Sequence, residues 1–237
     1  MQFEQDPIEP FEPARELRRG YHDRIAEVRE HSLELLRVSI AGIGMACHAL
    51  LERASLGTPG AEVGSTWVSR TSDIQERAAQ VDTEVVALLA LESPVARDLR
   101  VILAARDVTQ LGLLCLGLCD AVASRAARVA GLLDIGLRRR VDEVSRGTAA
   151  LLGAAEGAWA TLDADLAAAV VPQAVAVRAH QTEFLTALIA MEGVSMEAAL
   201  DLAVVARAFE RLADHAVEIA ERVRFAVQGT PAPALEP

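Results

Sequence analysis

The sequence predicts an all-α protein made of six long helices, arranged as two tandem three-helix bundles related by an internal repeat. Good helix formers, chiefly alanine, leucine, arginine and glutamate, recur throughout. Aromatic residues make up only 3% of the chain, whereas β-rich folds usually need more aromatic and β-branched residues. The order long helix, break, long helix, capped restart, long helix occurs twice, at an offset of about 101 residues.

The first repeat is predicted to span residues 20–131. Its helices should cover about 21–53, 61–91 and 94–130, because apolar residues recur there at helical spacing. The run Leu56-Gly57-Thr58-Pro59-Gly60 breaks the first helix from the second. Ser93 is predicted to cap the third helix, with Pro94 at its first position.

The second repeat is predicted to span residues 132–229. Its fourth helix should cover about 136–161, and Asp163 or Asp165 can cap a fifth that ends near Glu192. Pro172 should either kink that helix or move its true start later. The sixth helix should begin after the N-cap Ser195 and end near residues 228–229. Gly193 and Gly229 suit the ends of the fifth and sixth helices.

The two ends of the chain are predicted to be flexible tails, residues 1–19 and 230–237. The first contains prolines at positions 7, 10 and 13 and several acids, and it lacks the apolar core of a signal peptide. Uninterrupted apolar runs of eighteen residues are absent, so the sequence predicts no transmembrane helix. We therefore expect a cytoplasmic protein.

The charge balance argues against nucleic acid as a partner. The formal net charge is −11, and phosphate backbones repel an acidic chain. The one dense basic run, residues 138–140, is interpreted as a solvated helix start.

The cysteines do not predict a disulfide framework. There are three of them, Cys47, Cys115 and Cys119, which is an odd and sparse set typical of a reducing compartment. Cys115 and Cys119 share a helical face, so a metal pair is conceivable. Small buried hydrophobic residues are the favoured interpretation, because no further ligand lies at a zinc-type spacing.

The most informative stretch lies on the sixth helix. Glu210 and Asp214 are four residues apart, so their carboxylates lie on one face on successive turns, and Glu218 extends the row. Bound metal would relieve the repulsion between such acids, and oxygen ligands suit hard cations. The alternative is a solvated acidic face partly neutralised by neighbouring arginines. His215 could join a metal site or be an ordinary helix residue.

Two segments resemble the hallmarks of one family. Residues 209–223, FERLADHAVEIAERV, are similar to the signature of PhoU proteins, which lies on the third helix of a three-helix repeat. Residues 88–100, LLALESPVARDLR, resemble a second hallmark of that family. The start of the first helix, residues 21–24, is similar to actinobacterial members. The resemblance covers roughly residues 18–229.

The resemblance implies a regulatory adaptor rather than an enzyme. Such proteins are often homodimers, and they act as negative regulators that link a phosphate ABC transporter, through its ATPase subunit, to a sensor histidine kinase. They reach the membrane only through these partners.

The resemblance also implies a possible metal site, because some members bind iron or zinc through an E/D-x-x-x-D motif in each repeat. In the second repeat the motif is intact as Glu210 and Asp214, and Glu183 on the neighbouring helix is the predicted third ligand. In the first repeat Thr109 and Leu113 occupy the matching positions, and neither can replace a carboxylate.

Other interpretations stay open at this point. The leucines of residues 111–118 can thicken the core or form a partner or dimer surface. Phosphate-loop, dinucleotide and serine-hydrolase motifs are absent from the sequence. A metal-binding helical protein with a storage or enzymatic role is the alternative to the adaptor. A divergent PhoU-like protein of another regulatory circuit, or a relative of a phosphate-transport accessory factor, is a third possibility.

Overall fold

The computed structural model describes the backbone of residues 12–51 and 60–229, and the side chains of residues 18–51 and 73–229. Within these residues the protein is all-α, without strands, and the six predicted helices are confirmed. A short 3-10 helix, Ala130–Leu132, follows the third. The α-helices are α1 (Glu12–Leu51), α2 (Gly60–Glu92), α3 (Ala96–Val129), α4 (Ile135–Thr161), α5 (Ala164–Ile189) and α6 (Met196–Gln228).

The start of α1 differs from the sequence prediction. The helix begins at Glu12, so residues 12–19 are helical where a flexible tail was predicted. Pro13 does not prevent this, because proline is tolerated in the first turn of a helix, and the following arginines, glutamate and leucine favour helix. Residues 1–11 and 230–237 lie outside the described residues, as does most of the predicted break, residues 52–59.

The connection between α2 and α3 is a second difference. Ser93 does not cap α3: it adopts a left-handed conformation with φ 47°, and α3 begins at Ala96. The N-cap position is held by Val95, whose side chain makes no capping hydrogen bond. A residue before proline disfavours the right-handed helical region, so α2 ends at Glu92, just before Ser93.

The predicted N-caps of α5 and α6 are confirmed, and α4 has an N-cap, Asp134, that was not predicted. Asp134 accepts a hydrogen bond from the Leu137 amide at 2.8 Å and starts α4. Asp163, of the two predicted candidates, caps α5. Ser195 accepts a hydrogen bond from the Ala198 amide and starts α6. Each of these short polar side chains satisfies an N-terminal amide that has no partner within its own helix.

The ends of α5 and α6 were predicted with mixed success. α5 begins at Ala164 and runs through Pro172, so the later start is wrong. It ends at Ile189, three residues before the predicted end, and Gly193 lies in the following loop with φ 71°. α6 ends as predicted at Gln228, followed by Gly229, whose φ of 74° suits glycine and whose amide donates to the Phe225 carbonyl.

The two three-helix bundles share one hydrophobic core. α1 packs against α3 and α4, and α6 packs against α3 and α4, so these four helices form the centre of the molecule. α2 contacts only α1 and α3 among the described helices, and α5 contacts only α4 and α6, so both lie on the outside. The buried apolar side chains of both halves form one continuous cluster.

Two central helices also have the length and composition of membrane spans. They are residues 18–51 of α1 and residues 96–132, which comprise α3 and the 3-10 helix. About half of the most apolar window in each is already buried inside the protein. Core helices of helical bundles have the same properties, so this feature alone is weak evidence for insertion into a lipid bilayer.

Candidate functional site: the charged ladder of α6

The signature stretch of α6 has one buried side and one exposed side. The buried side chains, all less than 3% exposed, form part of the core and fix the helix between α3, α4 and α5. They are Phe209, Leu212, Ala213, Ala216, Ile219, Ala220 and Val223. The exposed side carries Arg207, Glu210, Arg211 and Asp214, which we call the charged ladder.

The carboxylates of the ladder are each paired with an arginine. Glu210 Oε2 lies 2.6 Å from Arg207 Nη1 on the preceding turn. Asp214 Oδ1 lies 3.4 Å from Arg178 Nη2 of α5, and its other oxygen lies 3.8 Å from Arg211 Nη1. Asp214 is the less exposed of the two carboxylates, at 26% against 46% for Glu210. The arginines therefore offset the repulsion between the acids that motivated the metal prediction.

Glu183, the predicted third ligand, is engaged elsewhere. Its Oε2 accepts a hydrogen bond at 2.9 Å from Arg140 Nη1 of α4. In the described part of the chain, no group of three or more histidine, cysteine, aspartate or glutamate side chains is placed to hold a metal ion. The structure thus does not gather Glu183 with Glu210 and Asp214, and the arrangement as it stands does not fit a metal cluster. Metal binding at these residues stays a prediction.

His215 and the acids that follow it lie on the next turns of α6. The His215 side chain is only 3% exposed, and its Nδ1 lies 3.4 Å from Glu218 Oε2. Burial raises the pKa of Glu221, and the nearby Glu218 charge adds to that rise while Arg222 opposes it. Arg222 in turn pairs with Asp107 of α3 at 3.3 Å. This part of α6 therefore serves contact between the two repeats.

The cysteines are buried and free. Burial is the main cause that raises the pKa of Cys115 far above the ordinary thiol value and that of Cys119 to about 12. Cys47 is also buried, and the Ser145 hydroxyl donates to its sulfur at 2.9 Å. Neutral, enclosed thiols of this kind act as small hydrophobic residues, which is the favoured prediction.

In the first repeat, the positions that match Glu210 and Asp214 belong to the core and do not form a metal site. Thr109 is fully buried, and its hydroxyl donates to the Ala105 carbonyl of its own helix at 2.8 Å. Leu113 packs against the core, and of the leucines in residues 111–118 only Leu114 is largely exposed. The interpretation of this face as thicker core is the one that the packing favours.

Sequence reasoning missed the role of Arg138. This arginine is not a solvated residue at a helix start. Its guanidinium donates to the carbonyls of Ala130 at 2.6 Å and Leu133 at 2.9 Å, and also to the carbonyl of Leu51 at the end of α1. It thereby joins the first repeat to the start of the second. Its neighbour Arg139 behaves as predicted, with a side chain that is 70% exposed.

Arg100, within the hallmark at residues 88–100, has a role of the same kind. Its Nε donates to the Phe225 carbonyl at 3.1 Å and the Ala226 carbonyl at 3.4 Å, in the last turn of α6. The Phe225 carbonyl also accepts from the Gly229 amide, so Arg100 adds a second donor at the C-terminal end of α6. The hallmark at residues 88–100 therefore contacts the last turn of α6, just beyond the hallmark at residues 209–223.

Two open grooves flank the start of α4. One has a volume of about 540 Å³ and is lined by residues that include Leu132, Arg140 and Met191. The other, of about 770 Å³, lies between the end of α1 and the start of α4 and is lined in part by Ile135. Neither contains a residue of the charged ladder.

The family model and the curated relatives that match this chain all belong to one family. The family model for the PhoU domain matches residues 141–223. Phosphate-specific transport system accessory protein PhoU homolog 2 of Mycobacterium tuberculosis is 30% identical over 222 residues, covering 90% of this chain and 99% of that protein. PhoU homolog 1 of the same species is 33% identical over 224 residues, covering 90% and 95%.

Solved structures share the fold. PhoU from Pseudomonas aeruginosa superposes with a TM-score of 0.78 at 24% identity, over 89% of this chain and 100% of that one. The phosphate transport system regulatory protein PhoU from Streptococcus pneumoniae gives 0.72 at 16% identity, over 90% and 99%. At these identities the likeness shows the fold alone.

Proposed function

The chain belongs to the PhoU family, and on this premise we propose that it is an accessory protein of a phosphate transport system. Its role is negative regulation of phosphate uptake and of the phosphate-starvation response. The observation that supports this most is the match to mycobacterial relatives named as accessory proteins, which covers 90% of the chain and nearly the whole of each relative.

In this proposal the protein is a cytoplasmic homodimer that works by binding and not by catalysis. It links the ATPase subunit of a phosphate ABC transporter to a sensor histidine kinase, and it approaches the membrane only through these partners. Such an adaptor can shift its targets only as far as its affinities for their different states differ. Its rigid, single-core helical body suits that task.

The charged ladder is the proposed docking surface for these partners. Its side chains are 26–61% exposed, and they alternate in sign along one face of α6. Surface ion pairs of this kind contribute little to folding, so the ladder can exchange its internal pairs for contacts with a partner. Complementary charges set specificity and association rate in such interfaces.

The role is tested by deletion of the gene and measurement of phosphate-starvation reporters at high phosphate. We expect reporter expression to rise and to fall again when the wild-type gene is restored. Reporter output that stays unchanged on deletion would count against the regulatory role.

The docking surface is tested by complementation of the same strain. We expect the double variant Arg207→Glu, Arg211→Glu to be folded but unable to restore repression. The control is Arg139→Glu, an exposed arginine outside the ladder, which should restore repression. Full repression by the ladder variant would exclude the ladder as the docking surface.

A further inference from the structure

The connection between α2 and α3, residues 91–98, exposes two large apolar side chains. We call these residues the α2–α3 turn. Leu91 is 73% exposed and Val95 is 74% exposed, whereas Val85 and Leu88, earlier on α2, are almost completely buried. Single exposed aliphatic residues are ordinary on protein surfaces, so exposure alone indicates nothing. The backbone that carries these two residues is what distinguishes the turn.

Two residues of the turn have a strained backbone. Ser93 and Ala96 have φ values of 47° and 50°, in the left-handed region that residues other than glycine rarely adopt. In the described part of the chain only one other non-glycine residue, Leu162, shares this property. Between the two stands Val95 at the N-cap of α3, where valine satisfies no helix amide and where serine or aspartate is preferred. Residues that break local preferences in this way are concentrated at functional sites.

Contacts with α1 and α6 hold the turn in this conformation. Glu92 Oε1 lies 2.9 Å from Arg24 Nη1 of α1. Burial and a hydrogen bond to the Asp98 carboxylate raise the pKa of the Tyr21 hydroxyl of α1 to about 12. Just after the turn, Arg100 donates to the end of α6. A turn fixed in this way loses little conformational freedom on binding, so its apolar side chains are pre-organised as anchors for a partner.

Arg97 is the charged side chain of the turn that stays unpaired. It is exposed, and within the described residues it makes no hydrogen bond or ion pair. Glu92 and Asp98, the other charged residues of the turn, both have partners on α1. The turn therefore presents two apolar side chains beside one uncompensated positive charge. Such a surface is complementary to an apolar pocket that has a carboxylate at its rim.

The turn is distant from the charged ladder. Arg100 donates to the Phe225 carbonyl near the end of α6, so the start of α3 lies at that end. Asp214 is the last residue of the ladder, and at a rise of 1.5 Å per residue it lies roughly 17 Å from Phe225 along α6. The ladder and the turn are therefore separate surfaces.

We propose that the α2–α3 turn is a second docking surface, which inserts Leu91 and Val95 into an apolar, acid-rimmed pocket of a protein partner. An adaptor that links two proteins at once needs two surfaces that do not overlap, so one partner binds the ladder and the other binds the turn. The inference rests on the proposed adaptor function and assigns one of its two contacts. Two aliphatic side chains bury too little area to hold a chain of net charge −11 on an anionic membrane, so a protein is the partner that the turn fits.

The test measures binding to each proposed partner separately, the ATPase subunit of the transporter and the sensor kinase in lipid nanodiscs, by biolayer interferometry. The variant Leu91→Gln, Val95→Gln keeps both side chains large but makes them polar. We expect its Kd for one partner to rise by about 100-fold, on the order of tenfold for each apolar side chain that loses its pocket. Its Kd for the other partner should stay unchanged. The ladder variant Arg207→Glu, Arg211→Glu should show the opposite preference.

The charge of the turn is tested by Arg97→Glu. This variant should weaken the same interaction as the double turn variant by about tenfold, and the loss should shrink as the salt concentration rises. Because Arg97 is exposed, the variant gives an answer even where the double variant does not fold. An unchanged Kd in Arg97→Glu would overturn the acid-rimmed pocket.

The matched control is Val86→Gln, Ile135→Gln, which changes two aliphatic side chains outside the turn that are 64% and 89% exposed. It should bind both partners as the wild type does. Helical circular dichroism and melting temperature show whether each variant is folded. Equal loss of binding in this control would overturn the proposal, because any exposed aliphatic pair would then have the same effect.

The remaining outcomes separate this proposal from the adaptor role. A turn variant that binds both partners like the wild type, or that loses both, would overturn the second docking surface and leave the adaptor role intact. A wild type that binds neither partner would overturn both. The proposal would also be overturned if the turn variant alone lost dimerisation, or lost binding to vesicles of phosphatidylcholine and phosphatidylglycerol in equal parts, because the turn would then contact a second copy or a membrane.

Discussion

Trp159 of α4 donates its indole N–H to the Ser32 hydroxyl of α1 at 2.8 Å, and both side chains are fully buried. The Ser32 hydroxyl in turn donates a hydrogen bond to the Arg29 carbonyl at 2.6 Å. One serine thus satisfies the only polar atom of the largest buried side chain, across the boundary between the two repeats.

We expect Ser32→Ala to lower the free energy of unfolding by about 1–3 kcal/mol, because the indole N–H is left buried without an acceptor. Urea denaturation measures this. Ser124→Ala, at an exposed serine of α3, is the control and should change stability by no more than about 0.5 kcal/mol. Equal effects of the two substitutions would show that the Trp159 bond contributes nothing specific.

Arg138 gives a second stability prediction. Its replacement by alanine removes the donor shared by three carbonyls at the junction of the repeats, and we expect a loss of about 1–3 kcal/mol. Arg139→Ala removes only an exposed pair with Glu143 and should cost less than about 0.5 kcal/mol. Chemical denaturation of both variants checks the contrast. A similar loss in both would mean that Arg138 acts only through its charge.

Metal binding at Glu210, Asp214 and Glu183 can be tested through the arginines that pair with them. If these carboxylates bind iron or zinc, the metal competes with Arg207 and Arg178. We then expect the double variant Arg207→Ala, Arg178→Ala to bind Zn²⁺ about tenfold or more tightly than the wild type. Titration calorimetry with Zn²⁺ and elemental analysis of protein purified without added metal are the measurements.

The control for this experiment is Glu210→Gln, Asp214→Asn, which keeps the shape of both side chains and should abolish binding. Absence of binding in the wild type and in the arginine variant at millimolar Zn²⁺ would remove the metal prediction.

The raised pKa of Glu221 predicts a pH-dependent stability. The folded protein holds this proton to higher pH than the unfolded chain does, so ionisation above the folded pKa disfavours folding. Glu221→Gln should therefore increase the urea midpoint at neutral pH by a small amount. The gain should shrink as pH falls toward the ordinary glutamate value of 4.5.

Glu27→Gln, on the exposed side of α1, serves as the control and should show no such trend. A gain at Glu221→Gln that is independent of pH would point to a packing effect and not to its ionisation.

Much of the helix pattern could be predicted because its signals are local. Asp163 and Ser195 were predicted as caps from their own position before a helical stretch, and each accepts a hydrogen bond from an amide three residues ahead. The prediction for Ser93 was wrong although the residue showed the same signal, because its backbone adopts a left-handed conformation where an N-cap needs an extended one.

The contacts that join the repeats could not be predicted this way. Arg100 and Arg138 donate to backbone carbonyls, which have no sequence signature, and the most distant partners lie 126 and 87 residues away. The exposed face of α5 was also hidden, because the helix is apolar nearly all round and its periodicity does not show which side is covered. The leucines of α3, which the sequence offered as a partner surface, are mostly core.

The single core that runs through both halves has a consequence for how the molecule can come apart. The apolar side chains of α1 and α3 pack in the same core as those of α4 and α6. A fragment that ends at the 3-10 helix would therefore expose its half of this core to water. We expect heating to produce one cooperative melt, and expression of either half alone to yield aggregates. The two sequence repeats are thus one cooperative folding unit and not a pair of independent modules.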